Sequence, residues 1–132
     1  MRSLRPFDLA RRQLALDRAR TRRFPFVRAR KAARQAASAL GFLRGSATLW
    51  FEILASHPEF LDGFPGRGWL AGDAHLENFG AYRPAAGGAP VFDVNDFDEA
   101  FVGPWAADLL RLSTSILLAG RELGVSRERI RQ

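Results

Sequence analysis

The sequence has no cysteine, a single lysine and only two histidines in 132 residues. Without cysteine there is no disulfide framework, no thiolate metal ligand and no thiol nucleophile, and the default compartment is a reducing cytoplasm. Any bound metal must then be one that oxygen or imidazole can hold. No apolar run approaches the roughly 20 residues that a membrane-spanning helix needs. The Arg-rich beginning lacks the uninterrupted apolar segment of a secretory signal. The expectation is a cytoplasmic protein with no membrane partner. Internal repeats are also missing. The composition, 47% hydrophobic and 26% charged, is that of one soluble globular domain or a piece of a larger one.

The net charge of +6 is unevenly placed. Residues 1–34 hold twelve Arg or Lys against Asp8 and Asp17, so the basicity is an N-terminal arm and the remainder is net acidic. Between Ala71 and Asp108 seven acids (Asp73, Glu77, Asp93, Asp96, Asp98, Glu99 and Asp108) face only Arg83. An anionic concentration of this kind invites a cation. The arm itself reads as a solvated helix face or as a polyanion-binding segment.

Pro6 and Asp8 open a polar helix over Leu9–Arg23, with a thin apolar stripe at Leu9, Leu16 and Ala19. A second, Ala- and Arg-rich helix follows Phe24-Pro25-Phe26 and runs to Ala39, ending near Gly41. Ser46 caps a third from Ala47 to Ala55, and His57-Pro58 opens a surface loop to Gly68. The period then changes. Trp69–Ala71, Phe79–Arg83 and Val91–Val94 read as strands, the last two forming a hairpin across Pro84–Gly88. Gly103-Pro104 starts a core helix through Trp105, Leu109, Leu112 and Ile116 that closes at Gly124. Trp69, Phe92 and Trp105 are expected in the core. Ser126 caps a last helix over Arg127–Gln132 with nothing to pack on, as if the chain were cut short. The fold class is α+β: a helical N-terminal half, a small β-hairpin core carrying the site loops, and a C-terminal helix.

Gly72-Asp73-Ala74-His75-Leu76-Glu77-Asn78 places an Asp after a strand and an Asn five residues on. Phosphoryl transfer needs a carboxylate to orient and deprotonate the attacking hydroxyl, and an amide oxygen nearby to hold a divalent ion. Asp73 and Asn78 fit those roles. In Val91-Phe92-Asp93-Val94-Asn95-Asp96-Phe97-Asp98-Glu99 an apolar strand runs into alternating carboxylates. Side chains at i and i+2 share a face of an extended chain, so Asp96 and Asp98 can converge on one hard cation such as Mg²⁺. His75 reads either as a structural donor or as a ligand, and Asp93 and Glu99 as solvated or supporting groups.

These segments, with Phe42-Leu43-Arg44-Gly45 before them and Gly103-Pro104-Trp105, Asp108-Leu109 and Arg111-Leu112 after, resemble the bacterial family known as domain of unknown function 2252. The resemblance covers about residues 24–124. That family is in turn similar to the kinase-like superfamily of aminoglycoside and choline phosphotransferases. The likeness implies the front section of a protein-kinase-like fold over 24–132 behind a basic helical arm at 1–23. It also implies Asp73 as catalytic base, Asn78 and Asp96 as metal ligands, and Asp108 as the buried Asp of the following helix. The cofactors it implies are Mg²⁺ or Mn²⁺ with ATP or another nucleoside triphosphate, and the partner is a small-molecule phosphate acceptor.

The sequence departs from the superfamily at Ala71, where a His is usual, and in having no Gly-rich phosphate loop or strand Lys before the catalytic loop. Arg44 is the candidate to replace that Lys, since a guanidinium can clamp phosphate bidentately. A degenerate relative that binds nucleotide without turnover fits the same residues. Two alternatives remain open: a metallophosphoesterase built on the Asp-x-His of Asp73 and His75, and a nucleic-acid-binding module working through the Arg arm. The C-terminal helix, short of later partners, is expected to promote self-association.

Overall fold

In the computed structural model, which describes residues 4–130, the chain divides into two compact units, Met1–Gly63 and Phe64–Gln132.

The first unit is helical. Prolines in the first turn, where a missing N–H costs nothing, start both α1 (Pro6–Arg20) and α2 (Pro25–Ala37). Ser38 then accepts from the Gly41 N–H and starts α3 (Ala39–Arg44), so the chain continues helically through Gly41, where a helix end was expected. After Gly45-Ser46 comes α4 (Ala47–Ser56). Ser46 stands at its N-cap position, but its hydroxyl donates to Leu43 O (3.0 Å) and does not cap.

The expected apolar stripe of α1 is not what that helix buries. Gln13 and Asp17 are its buried residues, while Leu9 and Leu16 are only half-buried and Ala19 is exposed. The reason is a polar hub. Lys31, the single lysine, meets Asp17 Oδ1 at 2.7 Å, and Gln13 donates to the same oxygen at 3.0 Å. Gln13 and Gln35 both donate to the carbonyl of Gly45, at 3.2 and 2.9 Å. Leu43, Leu49 and Leu54 supply the buried apolar side chains of this unit.

His57, expected on the surface, is only 2% exposed. Pro58 starts a single 3₁₀ turn, Pro58–Leu61, which brings Glu59 Oε1 to 2.9 Å from the ring Nδ1. This bond is the main reason the Glu59 carboxyl lies below its ordinary range. The ring also packs against Phe60, with centroids 5.7 Å apart.

The second unit holds two antiparallel ribbons. The expected hairpin is present as β2 (Phe79–Tyr82) against β3 (Val91–Val94), with Phe79 opposite Val94 and Tyr82 opposite Val91. The other ribbon pairs β1 (Arg67–Leu70) with β4 (Phe101–Pro104), Trp69 lying opposite Val102. Here the expectation of a helix start at Gly103-Pro104 is corrected. Those residues close a strand, and α5 (Ala106–Glu122) begins after Trp105. Gly124, at φ 72°, follows its end as expected, and α6 spans Arg127–Ile130. Residues 131 and 132, which the sequence reading placed in that last helix, lie outside the described residues.

The burial of α5 overturns the reading of its apolar stripe. Ala106, Ala107, Arg111 and Ser115 face inward, while Trp105, Leu109 and Ile116 are each more than 40% exposed. Trp69 and Phe92, also expected in the core, are 81% and 72% exposed. The inward face of α5 thus combines two alanines with the polar Arg111 and Ser115, and Leu70 is buried in the same unit. Among the described residues, no helix is long and apolar enough to cross a membrane.

Candidate active-site loop

Between β1 and β2 the chain makes no regular ladder from Ala71 to His75, then a 3₁₀ turn at Leu76–Asn78. Its orphan backbone groups must be satisfied by side chains, and one stripe of α5 supplies them. Residues 108, 111 and 115 are spaced i, i+3, i+7, so they share a helix face. Asp108 accepts from the N–H of Ala71 (2.6 Å) and of Gly72 (3.3 Å). Arg111 donates to Asp73 Oδ1 from Nε (2.8 Å) and again from Nη2. The Ser115 hydroxyl accepts from the Leu76 N–H (3.1 Å) and donates to Leu112 O (2.7 Å).

Two of these groups are charged, Arg111 buried and Asp108 half-buried. Arg111 has no exposed surface. Burial pushes its guanidinium below the ordinary arginine value, and Asp73 works against that shift. Burial likewise raises the Asp108 carboxyl above its ordinary range, opposed by the two backbone N–H groups that bond to its ionised form.

Asn78, buried, donates through Nδ2 to the carbonyl of Asp73 (2.9 Å). Its nitrogen is thus committed to the loop, and its amide oxygen remains as an acceptor. His75, 3% exposed, lies with Nε2 3.7 Å from Asp73 Oδ2.

The loop carrying Asp96 and Asp98 is fastened to the same turn. Asn95 N–H donates to Asn78 O at 3.0 Å. Gly72, at φ 83°, lies so near the other end of that loop that a Cβ there would come within 2.1 Å of Glu99 O. Asp98 N–H donates to Asp96 Oδ1 (3.3 Å), and both acids are exposed. The structure therefore brings Asp73, Asn78, Asp108 and the Asp96–Asp98 loop into one neighbourhood. Arg44 belongs to the helical unit, at the end of α3. Among the described residues, no group of three or more His, Asp or Glu side chains is gathered as a metal centre. Beside the loop, a cavity of about 370 Å³ is lined by Trp69, Phe79, Phe97 and Leu109, with Asp93 and Asp108 among its polar residues.

The sequence reading missed Arg111 and Ser115. The signal was there: two polar residues continue the i, i+3, i+7 series from Asp108 inside an otherwise apolar helix, a series that the search for an apolar stripe passes over.

An α+β unit whose central helix fastens an acidic loop defines the class of molecule. Residues 23–132 match the family described as uncharacterized protein conserved in bacteria (DUF2252). The chain belongs to that family. No curated protein and no solved structure matches it.

Proposed function

We propose that the chain carries the catalytic-loop and metal-loop section of a kinase-like phosphotransferase, or of a degenerate relative that binds nucleotide without turnover. The supporting observation is the way Asp108 and Asn78 fix the turn around Asp73. Asp108 takes the N–H groups of the two residues before Asp73, and the Asn78 amide takes its carbonyl. A carboxylate and an amide oxygen five residues apart are thereby offered by one rigid loop, the disposition a hydroxyl acceptor and a divalent ion require.

The donors nearby suit a hard cation in kind. Asn78 offers an amide oxygen and Asp96 and Asp98 offer carboxylates, and all three are ligand types that Mg²⁺ or Mn²⁺ accepts. The ion would offset the phosphate charge of ATP or another nucleoside triphosphate. Asp73 acts on the other reactant, accepting the hydrogen bond of a small-molecule hydroxyl. A two-metal hydrolase would instead make Asp73 a metal ligand, and the guanidinium on its Oδ1 opposes a dication there.

The test is MgATP binding by calorimetry together with phosphate release. Asp73→Asn should hold MgATP within about threefold while slowing phosphate release by about 100-fold or more, the usual span of general-base catalysis. Asn78→Ala should weaken metal and nucleotide together, by about tenfold. A wild-type chain that does not bind MgATP overturns the proposal. So does the reverse pattern, in which Asp73→Asn loses the metal and Asn78→Ala does not.

A further inference from the structure

Resting on the phosphotransferase reading, we infer that Arg111 is a positioning residue that commits Asp73 Oδ1 to the protein and leaves Oδ2 as the atom that receives the acceptor hydroxyl. Three observations carry this. Arg111 is fully buried, so it is not a surface group that binds a ligand itself. It reaches Oδ1 with two donors, Nε and Nη2, so that oxygen is taken, while among the described residues Oδ2 has only His75 Nε2 near it, at 3.7 Å. The carboxyl itself keeps 24% of its side-chain surface open, so one of its faces can meet a reactant.

With Oδ1 taken by Arg111, Oδ2 is the oxygen left to a reactant, on the side where His75 Nε2 lies. In transfer, the acceptor oxygen bonds to the terminal phosphorus as the bridging P–O bond to the nucleoside diphosphate breaks. The acceptor proton passes to Asp73 Oδ2 and from there to solvent. Arg111 contributes by holding Oδ2 in line, a contribution of orientation whose loss costs rate more than affinity.

The experiment measures steady-state phosphate release from MgATP, with water as acceptor, per nucleotide-binding site titrated by calorimetry. Arg111→Gln should lower kcat by about 100-fold with the KM for MgATP within about threefold, because orientation is lost and donor binding is kept. Arg111→Lys, which keeps the charge but not the fork, should fall between this variant and wild type. Asp73→Asn combined with Arg111→Gln should be no slower than Asp73→Asn alone, since both act through one carboxylate. If Arg111→Gln does not fold, the Arg111→Lys variant and the double variant give the same decision. The double variant removes both charges of the pair and leaves Asp108 with its two backbone N–H bonds.

Wild-type kcat per site in either single variant overturns the role of Arg111 and leaves the phosphotransferase reading standing. A double variant slower than Asp73→Asn by the full Arg111→Gln factor does the same. A purely structural role would lower the number of competent sites at constant kcat per site. Failure of the wild type itself to bind MgATP overturns both.

Discussion

At the scale of single residues, Asp73 and Arg111 are joined by two donors on one carboxylate oxygen. Removing one partner of a buried ion pair costs about 3–5 kcal/mol, and without Asp73 the buried Arg111 keeps the more distant charge of Asp108. Asp73→Ala is therefore expected to destabilise the fold by about that amount, and Asp73→Asn by less, since its amide oxygen can still accept from the guanidinium. Urea unfolding of the two variants side by side checks this, and equal losses would contradict it. Asp108 adds a pH dependence of known sign. Its folded-state value is raised above 3.8 by burial, so the stability tied to its proton is fully present below the unfolded value and is lost as the pH rises through the folded one. Asp108→Asn does not titrate. The gap in stability between wild type and Asp108→Asn should therefore shrink as the pH rises from about 4, which thermal melts across that window will show. Asp73 and Asn78 were legible as site candidates because a loop with that spacing of carboxylate and amide has a chemical use, whereas Asp108 came only from the family resemblance. Arg111 was not, because its role depends on a neighbour 38 residues away.

Among the elements, the hairpin of β2 and β3 was legible from its turn residues and apolar runs. The strand β4 was not. Gly103-Pro104 has the local signature of a helix start, and only its pairing with β1 makes it a strand end. Tertiary pairing outweighs a local preference here, as it commonly does for short strands. The apolar residues of α5 misled for a related reason, because the helix gives its inner face to the loop and several of its large apolar side chains to the outside. Between the two acidic loops the critical position is Gly72. Its positive φ and its approach to Glu99 O exclude a side chain. Gly72→Ala should cost more than the roughly 1–2 kcal/mol of left-handed strain alone, because the loops must also part. Its unfolding midpoint should fall further than that of Gly87→Ala, which shares the positive φ but has open space around it.

For the molecule as a whole, the consequence is a large amount of uncovered apolar surface. Trp69, Phe92, Phe97, Trp105 and Leu109 are all exposed in the second unit. Surfaces of this kind associate. Sedimentation velocity should show a weight-average mass that grows with concentration, and Leu109→Ser with Ile116→Ser should reduce that growth. A mass independent of concentration in the wild type would contradict the expectation.

One stripe of α5 also determines how the second unit breathes. The loop from Ala71 to Leu76 has no ladder of its own, and three of its amides are held by Asp108 and Ser115. Those amide protons can exchange with solvent only when the helix side chains let go. They should therefore show the slow deuterium uptake of α5 and not the rapid uptake of a surface loop, so that loop and helix open as one cooperative unit.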